Sequence, residues 1–224
     1  MKKLILALAA MAFATTSHAA FKMTIDDGID GVDVTVIDEG IGDGALGTTG
    51  ALAWVGALTN WNLIINTAAS KPELLGNSLF NTTINATSTT DDPLGADLQV
   101  MVTDTGFTTY SGLILDWTLN PATNGTASYE VWLDTADSEF GVGCGTCTLL
   151  SSNTSGSATG GTDFIGGTGA VAPYSLTYVI TLNHPEGDRV DALVTDKMRV
   201  PEPSMLALLS AGLIGLGVAA RRRA

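Results

Sequence analysis

Apolar residues recur at every second position in six separate stretches of this chain, and that period restricts its fold more than any other feature. Val32, Val34 and Val36 alternate with polar neighbours between Val32 and Asp38. Leu98, Val100 and Val102 do so between Asp97 and Asp104, and Leu113, Leu115, Trp117 and Leu119 between Ser111 and Leu119. Tyr129, Val131 and Leu133 continue the pattern, as do Leu176, Tyr178, Ile180 and Leu182. A last run holds Val190, Ala192, Val194, Met198 and Val200. Side chains of a strand point alternately to opposite faces, so this spacing is that of half-buried antiparallel strands. Abundant Thr suits strand surfaces. Turn pairs such as Asp27-Gly28, Asp43-Gly44 and Asn124-Gly125 fall between the runs. No amphipathic helix stands out; a short helical turn is expected at most near Lys71 to Gly76. About ten strands are expected, packed as an all-β antiparallel sandwich of jelly-roll or Greek-key type. The Gly/Ser/Thr-rich stretches Ser151 to Gly161 and Gly166 to Gly169 read as mobile loops.

The 224 residues allow one ordinary domain with a full core. A net charge of −13 excludes a nucleic-acid partner, which would demand a basic surface. Yet the mean hydropathy is +0.28, high for so acidic a chain, and the excess sits at the two ends. Lys2 and Lys3, the apolar run Leu4 to Ala14 and Ser17-His18-Ala19 have the order of a secretory signal peptide, expected to be cut after Ala19 or Ala20. At the other end, Ser204 to Ala220 is an uncharged span of 17 residues, the lower limit for a membrane helix. Arg221, Arg222 and Arg223 follow and belong on the cytoplasmic side. Three parts result: residues 1–20 as signal peptide, 21–199 as ectodomain, 200–224 as tail. Between 21 and 200, five basic residues face 22 acidic ones, so the domain itself carries −17.

Val200-Pro201-Glu202-Pro203, the Leu/Gly/Ala-rich span from Leu206 to Gly217 and the Arg triplet together resemble the PEP-CTERM sorting signal of Gram-negative bacteria. The resemblance implies cleavage by an exosortase near the Pro-Glu-Pro motif, transient anchoring through the tail helix, and delivery to the cell surface or medium. It also implies an association with exopolysaccharide, biofilm or floc matrix. Pro201, Glu202, Pro203 and the three arginines are then recognition elements for another protein's active site. Gly56 to Asn62, Ala69 to Glu73 and Val102 to Phe107 are similar to a group of uncharacterised secreted proteins with the same tail, which implies a β-sandwich ectodomain.

Local chemistry is sparse. Cys144-Gly145-Thr146-Cys147 lies in an exported region, where thiols pair. The simplest reading is a disulfide closing a tight loop. A redox role would want a helix N-terminus to lower the thiol pKa, and zinc would want about four ligands. Seven acidic residues fall between Asp26 and Asp43 among several glycines. The plain reading is a solubilised strand edge. The chemical alternative is calcium, held by Asp26, Asp27, Asp30 and Asp33, although the EF-hand spacing is absent. No other cofactor is expected.

Catalysis has little to build on. His184 is the sole histidine outside the leader, and Ser111 does not sit in a nucleophile elbow. Glu130, Trp132 and Asp134 share one face of a strand, where an aromatic flanked by carboxylates can stack on and hydrogen-bond a sugar; the plain alternative is a Trp132 covered by a loop or sheet. Trp54, Trp61 and Trp117 follow apolar faces and are expected in the core. The chain reads as an exported, non-catalytic surface or matrix protein. Its partners would be signal peptidase, exosortase and possible exopolysaccharide. A carbohydrate-binding module and a secreted polysaccharide hydrolase are the alternatives.

Overall fold

The computed structural model describes residues 21–29, 31–70, 80–88, 97–107, 112–121, 125–166, 173–183 and 191–199. The signal peptide, the Lys71–Gly76 segment, Asp30, Ser111, His184 and the whole tail from Val200 lie outside them, and with them Pro201, Glu202, Pro203, Arg221, Arg222 and Arg223. Among the described residues, no helix is long and apolar enough to cross a membrane.

Twelve strands are described: β1 Lys22–Asp26, β2 Val34–Ile37, β3 Ala51–Ala57, β4 Trp61–Ala69, β5 Phe80–Ser88, β6 Leu98–Phe107, β7 Gly112–Asn120, β8 Thr126–Asp134, β9 Cys147–Ser155, β10 Thr159–Gly166, β11 Tyr174–Asn183 and β12 Asp191–Arg199. They form two six-stranded antiparallel sheets. The first has the order β2-β1-β6-β11-β8-β9, the second β10-β7-β12-β5-β4-β3. From β6 onward each strand lies in the sheet opposite its predecessor, except for β9, which pairs with β8. The two sheets pack as a β-sandwich.

The alternating residues do what their period requires. Leu98, Val100, Val102, Leu113, Leu115, Leu119, Tyr129, Val131, Leu133, Leu176, Tyr178, Ile180 and Leu182 are all buried between the sheets. Each large side chain so removed from water contributes roughly 1.5–3 kcal/mol before conformational entropy is charged against it. Trp61 and Trp117 join them, whereas Trp54 is only partly buried against the core. Val32 departs from the expectation: pairing of β2 with β1 reaches only Val34, and Val32 is 55% exposed.

The Ser151–Gly161 stretch is also corrected. It is no loop but most of β9, a short turn and the start of β10. These strands send only Leu150 and Ile165, both partly buried, against the core, so the hydrophobic period is missing. Their order comes from ladders to β8 and β7. A second tie lies at the open side of the sandwich. Asp163 on β10 accepts the Tyr129 hydroxyl at 2.7 Å and the Ser151 hydroxyl at 2.5 Å, both on Oδ2. Burial raises the Asp163 pKa, but the bonds from Ser151 and Tyr129 outweigh it and hold the carboxyl below its ordinary value.

Candidate functional site

The outer face of the first sheet holds the clearest gathering of chemistry. On β8, Tyr129, Val131 and Leu133 face the core, so Glu130 and Trp132 face outward. Trp132 lies between Thr177 on β11 and Leu149 on β9; Glu130 lies between Val179 and Ser152. The Trp132 indole N–H donates to Glu130 Oε2 at 2.8 Å. That bond fixes the ring beside a carboxylate that keeps a second oxygen. Trp132 and Glu130 are half-buried, and Leu149 beside them is 44% exposed.

Asp134 shares their face but not their availability. It is buried, and it organises the loop of residues 135–146 that follows β8. The Ala136 N–H donates to Asp134 Oδ1 at 2.9 Å and the Ser138 N–H to Oδ2 at 3.2 Å. Burial alone would raise its pKa; the bonds from the Thr146 side chain and from Ala136 and Ser138 reverse the direction and keep it ionised. Gly141 packs against it so closely that a Cβ there would stand 2.8 Å from Asp134 Cβ. Asp134 is therefore a loop anchor, committed to backbone amides rather than offered to a ligand.

The loop then crosses the end of the same outer face. The Phe140 N–H donates to Thr103 Oγ1 on β6, and Ser175 Oγ on β11 donates to the Ser138 carbonyl at 2.6 Å. The Gly106 N–H donates to Asp137 Oδ1 at 2.7 Å. Lys22 Nζ on β1 pairs with both oxygens of Glu139 at 2.8 Å. Asp137 and Phe140 adopt positive φ to make these contacts. Cys144 and Cys147 are joined in a disulfide across the loop's last turn, where the Cys147 N–H donates to the Cys144 carbonyl. No cysteine among the described residues is free. The result is an aromatic with a tethered carboxylate, bordered by a loop clamped to four strands.

The acidic run near the N-terminus divides in two. Asp38, Glu39 and Asp43 serve backbone amides. Asp38 accepts the Gly50 N–H on both oxygens, Asp43 accepts from Glu39, Ala45 and Ala53, and Glu39 accepts from Gly47. Their work is to shape the turns of residues 38–50, a role that composition concealed. Asp33, Asp26 and Asp27 also accept backbone N–H groups, from Asp27, Gly28 and Ile29 respectively, but they converge on one another as well: one oxygen of each lies within 4.8 Å of the others. Cys144, Cys147 and Asp134 also meet, but the two sulfurs are consumed in the disulfide.

A third region is the outer face of the second sheet. Val55 and Ile64, 71% and 46% exposed, lie beside Asn62, Asn85 and Thr87 in a shallow depression, and Phe164 on β10 is 79% exposed. Their signal was present as apolar residues on the polar register of each strand.

The family model described as the PEP-CTERM protein-sorting motif matches residues 199–223. No curated protein matches the chain. Among solved structures, the carbohydrate-binding module TmCBM61, in complex with β-1,4-galactotriose, is similar with 6% identity and a TM-score of 0.37, over 65% of this chain and 92% of that one. The family 11 carbohydrate-binding module from Clostridium thermocellum, in complex with a mixed-linked tetrasaccharide, shows 11% identity and a TM-score of 0.31, over 80% and 95%. The K1 cleaved adhesin domain of Lys-gingipain from Porphyromonas gingivalis W83 shows 13% identity and a TM-score of 0.32, over 69% and 99%.

Proposed function

We propose that this chain, which carries a PEP-CTERM sorting motif directly after its last strand, is an extracellular binding protein of a polysaccharide matrix, acting without catalysis. The sorting motif marks it for export and exosortase processing. Trp132, held by Glu130 on an outward sheet face, carries the finer reading, because sugar recognition combines an apolar ring face with a nearby hydrogen-bond acceptor. In this reading the sugar stacks on the Trp132 ring, its hydroxyls donate to Glu130, and the 135–146 loop forms one wall. Asp134 is committed to its loop and so does not pair with Glu130 as an acid–base couple, which supports binding as the reading.

A glycan array probed with the exported protein tests this. Saturable binding that Trp132→Ala abolishes and Phe164→Ala leaves intact supports the reading; equal binding by all three proteins contradicts the site. Sorting has a separate test. Because β12 lies in the middle of the second sheet and ends at Arg199, cleavage must fall beyond Arg199 to keep the sheet intact. Mass spectrometry of the released protein should find a C-terminus past that residue, and unchanged release from cells lacking exosortase would refute the processing step.

A further inference from the structure

From the geometry at the β1–β2 turn we infer that Asp26, Asp27 and Asp33 form a calcium site. Asp26 ends β1, Asp27 and Gly28 turn the chain, and the Asp33 N–H donates back to the Ile25 carbonyl at 2.9 Å, closing the turn. One carboxylate oxygen from each residue lies within 4.8 Å of the other two. Two ligands on opposite sides of a calcium ion, each about 2.4 Å from it, are about 4.8 Å apart, so one ion reaches all three. Magnesium, with bonds of about 2.0–2.1 Å and rigid octahedral demands, would need the set drawn inward.

The second observation is the state of Asp27. It is only 1% exposed; Oδ1 accepts the Ile29 N–H at 3.2 Å, and Oδ2 accepts no hydrogen bond. A buried carboxylate with an unused oxygen is costly unless something positive sits beside it. Here the charged neighbour is another carboxylate, Asp33. Burial, joined by the charge of Asp33, pushes the Asp27 carboxyl above its ordinary range even though the backbone N–H groups of Ile29 and Thr59 pull the other way. The salt bridge of Lys22 to Glu139 involves none of the three. A divalent cation satisfies the unused oxygen and the mutual repulsion together. Exposed Asp33 and half-buried Asp26 leave a solvent side through which water completes the six to eight oxygens calcium takes.

Thermal melting and calorimetric titration of the exported protein, stripped with chelator and returned to 0.1 M salt, test the site. Wild type should gain about 5 °C or more in Tm in millimolar Ca²⁺ and bind it with a single-site isotherm, with a smaller gain in Mg²⁺. Asp33→Asn keeps an acceptor for the Asp27 N–H and should lose that gain. Glu139→Gln, an equal charge change elsewhere, should retain it. If Asp33→Asn fails to fold, Asp26→Asn carries the same comparison. Three results would overturn the site: a gain unchanged in the folded Asn variant, equal gains from calcium and magnesium, or no calcium gain while Tm rises towards pH 5 in chelator. The last would mean that Asp27 and Asp33 share a proton instead of a cation.

Discussion

Asp163 receives two hydroxyl bonds on a single oxygen, and its carboxyl is held below the ordinary value, so its contribution to stability has a defined pH window. A depressed carboxyl stabilises the fold fully above its unfolded pKa of about 3.9 and progressively less as pH falls through the folded value. Asp163→Asn should therefore cost about 1–2 kcal/mol at pH 7, and its deficit relative to wild type should shrink below about pH 4 in denaturant titrations. Gly141 offers a sharper steric contrast. Gly141→Ala drives a Cβ to 2.8 Å from Asp134 Cβ and should destabilise by about 1–3 kcal/mol, whereas Gly145→Ala, with open space around it, should change stability by less than about 0.5 kcal/mol. Little of this was legible in the sequence. Alternation placed Glu130 and Trp132 on one outward face, but it gave Asp134 the same standing. What removes Asp134 is its capture by the Ala136 and Ser138 N–H groups of the following loop, which strand alternation does not encode; Thr103 and Ser175, on strands distant in sequence, then pin that loop in place.

The elements tell a more favourable story where hydrophobicity could speak. β6, β7, β8 and β11 were readable because each buries one apolar face, and their period is the consequence. The Ser151–Gly161 part of β9 and β10 reads as a loop because Ser, Thr and Gly dominate both faces there; hydrogen bonding to β8 and β7 orders it, and residue type carries that signal weakly. The 135–146 loop is similar in kind. Its Cys144–Cys147 bridge spans a sequence separation of only 3, so its loss should cost no more than roughly 2 kcal/mol. The remaining anchors at Asp134, Asp137 and Glu139 should hold the loop in place. Reducing the disulfide, or replacing both cysteines with Ser, should raise amide exchange in residues 143–147 while leaving exchange at Phe140 slow. Fast exchange throughout 135–146 would show instead that the disulfide, not the sheet contacts, fixes the loop.

The described domain is a sandwich whose strands after β5 alternate between sheets, β9 excepted, so most of its pairings join distant parts of the chain. Such topologies fold slowly, on the millisecond-to-second scale for small domains and no faster here. The core is continuous between the sheets, and Leu98→Ala, at 0% exposure, should cost about 2–5 kcal/mol in chemical denaturation. The domain's formal charge of −17 bears on function as well as solubility: it repels anionic polymers at long range, so contact with a matrix must be local and specific. In the proposed reading Trp132 and Glu130 supply one such local patch, and bound calcium would soften the repulsion nearby. Affinity electrophoresis of the exported protein through gels containing the producing cell's own exopolysaccharide measures this contact. Wild type should be retarded in proportion to polymer concentration and Trp132→Ala should run as in an empty gel; equal retardation of both proteins, or of neither, would contradict a polysaccharide site at Trp132.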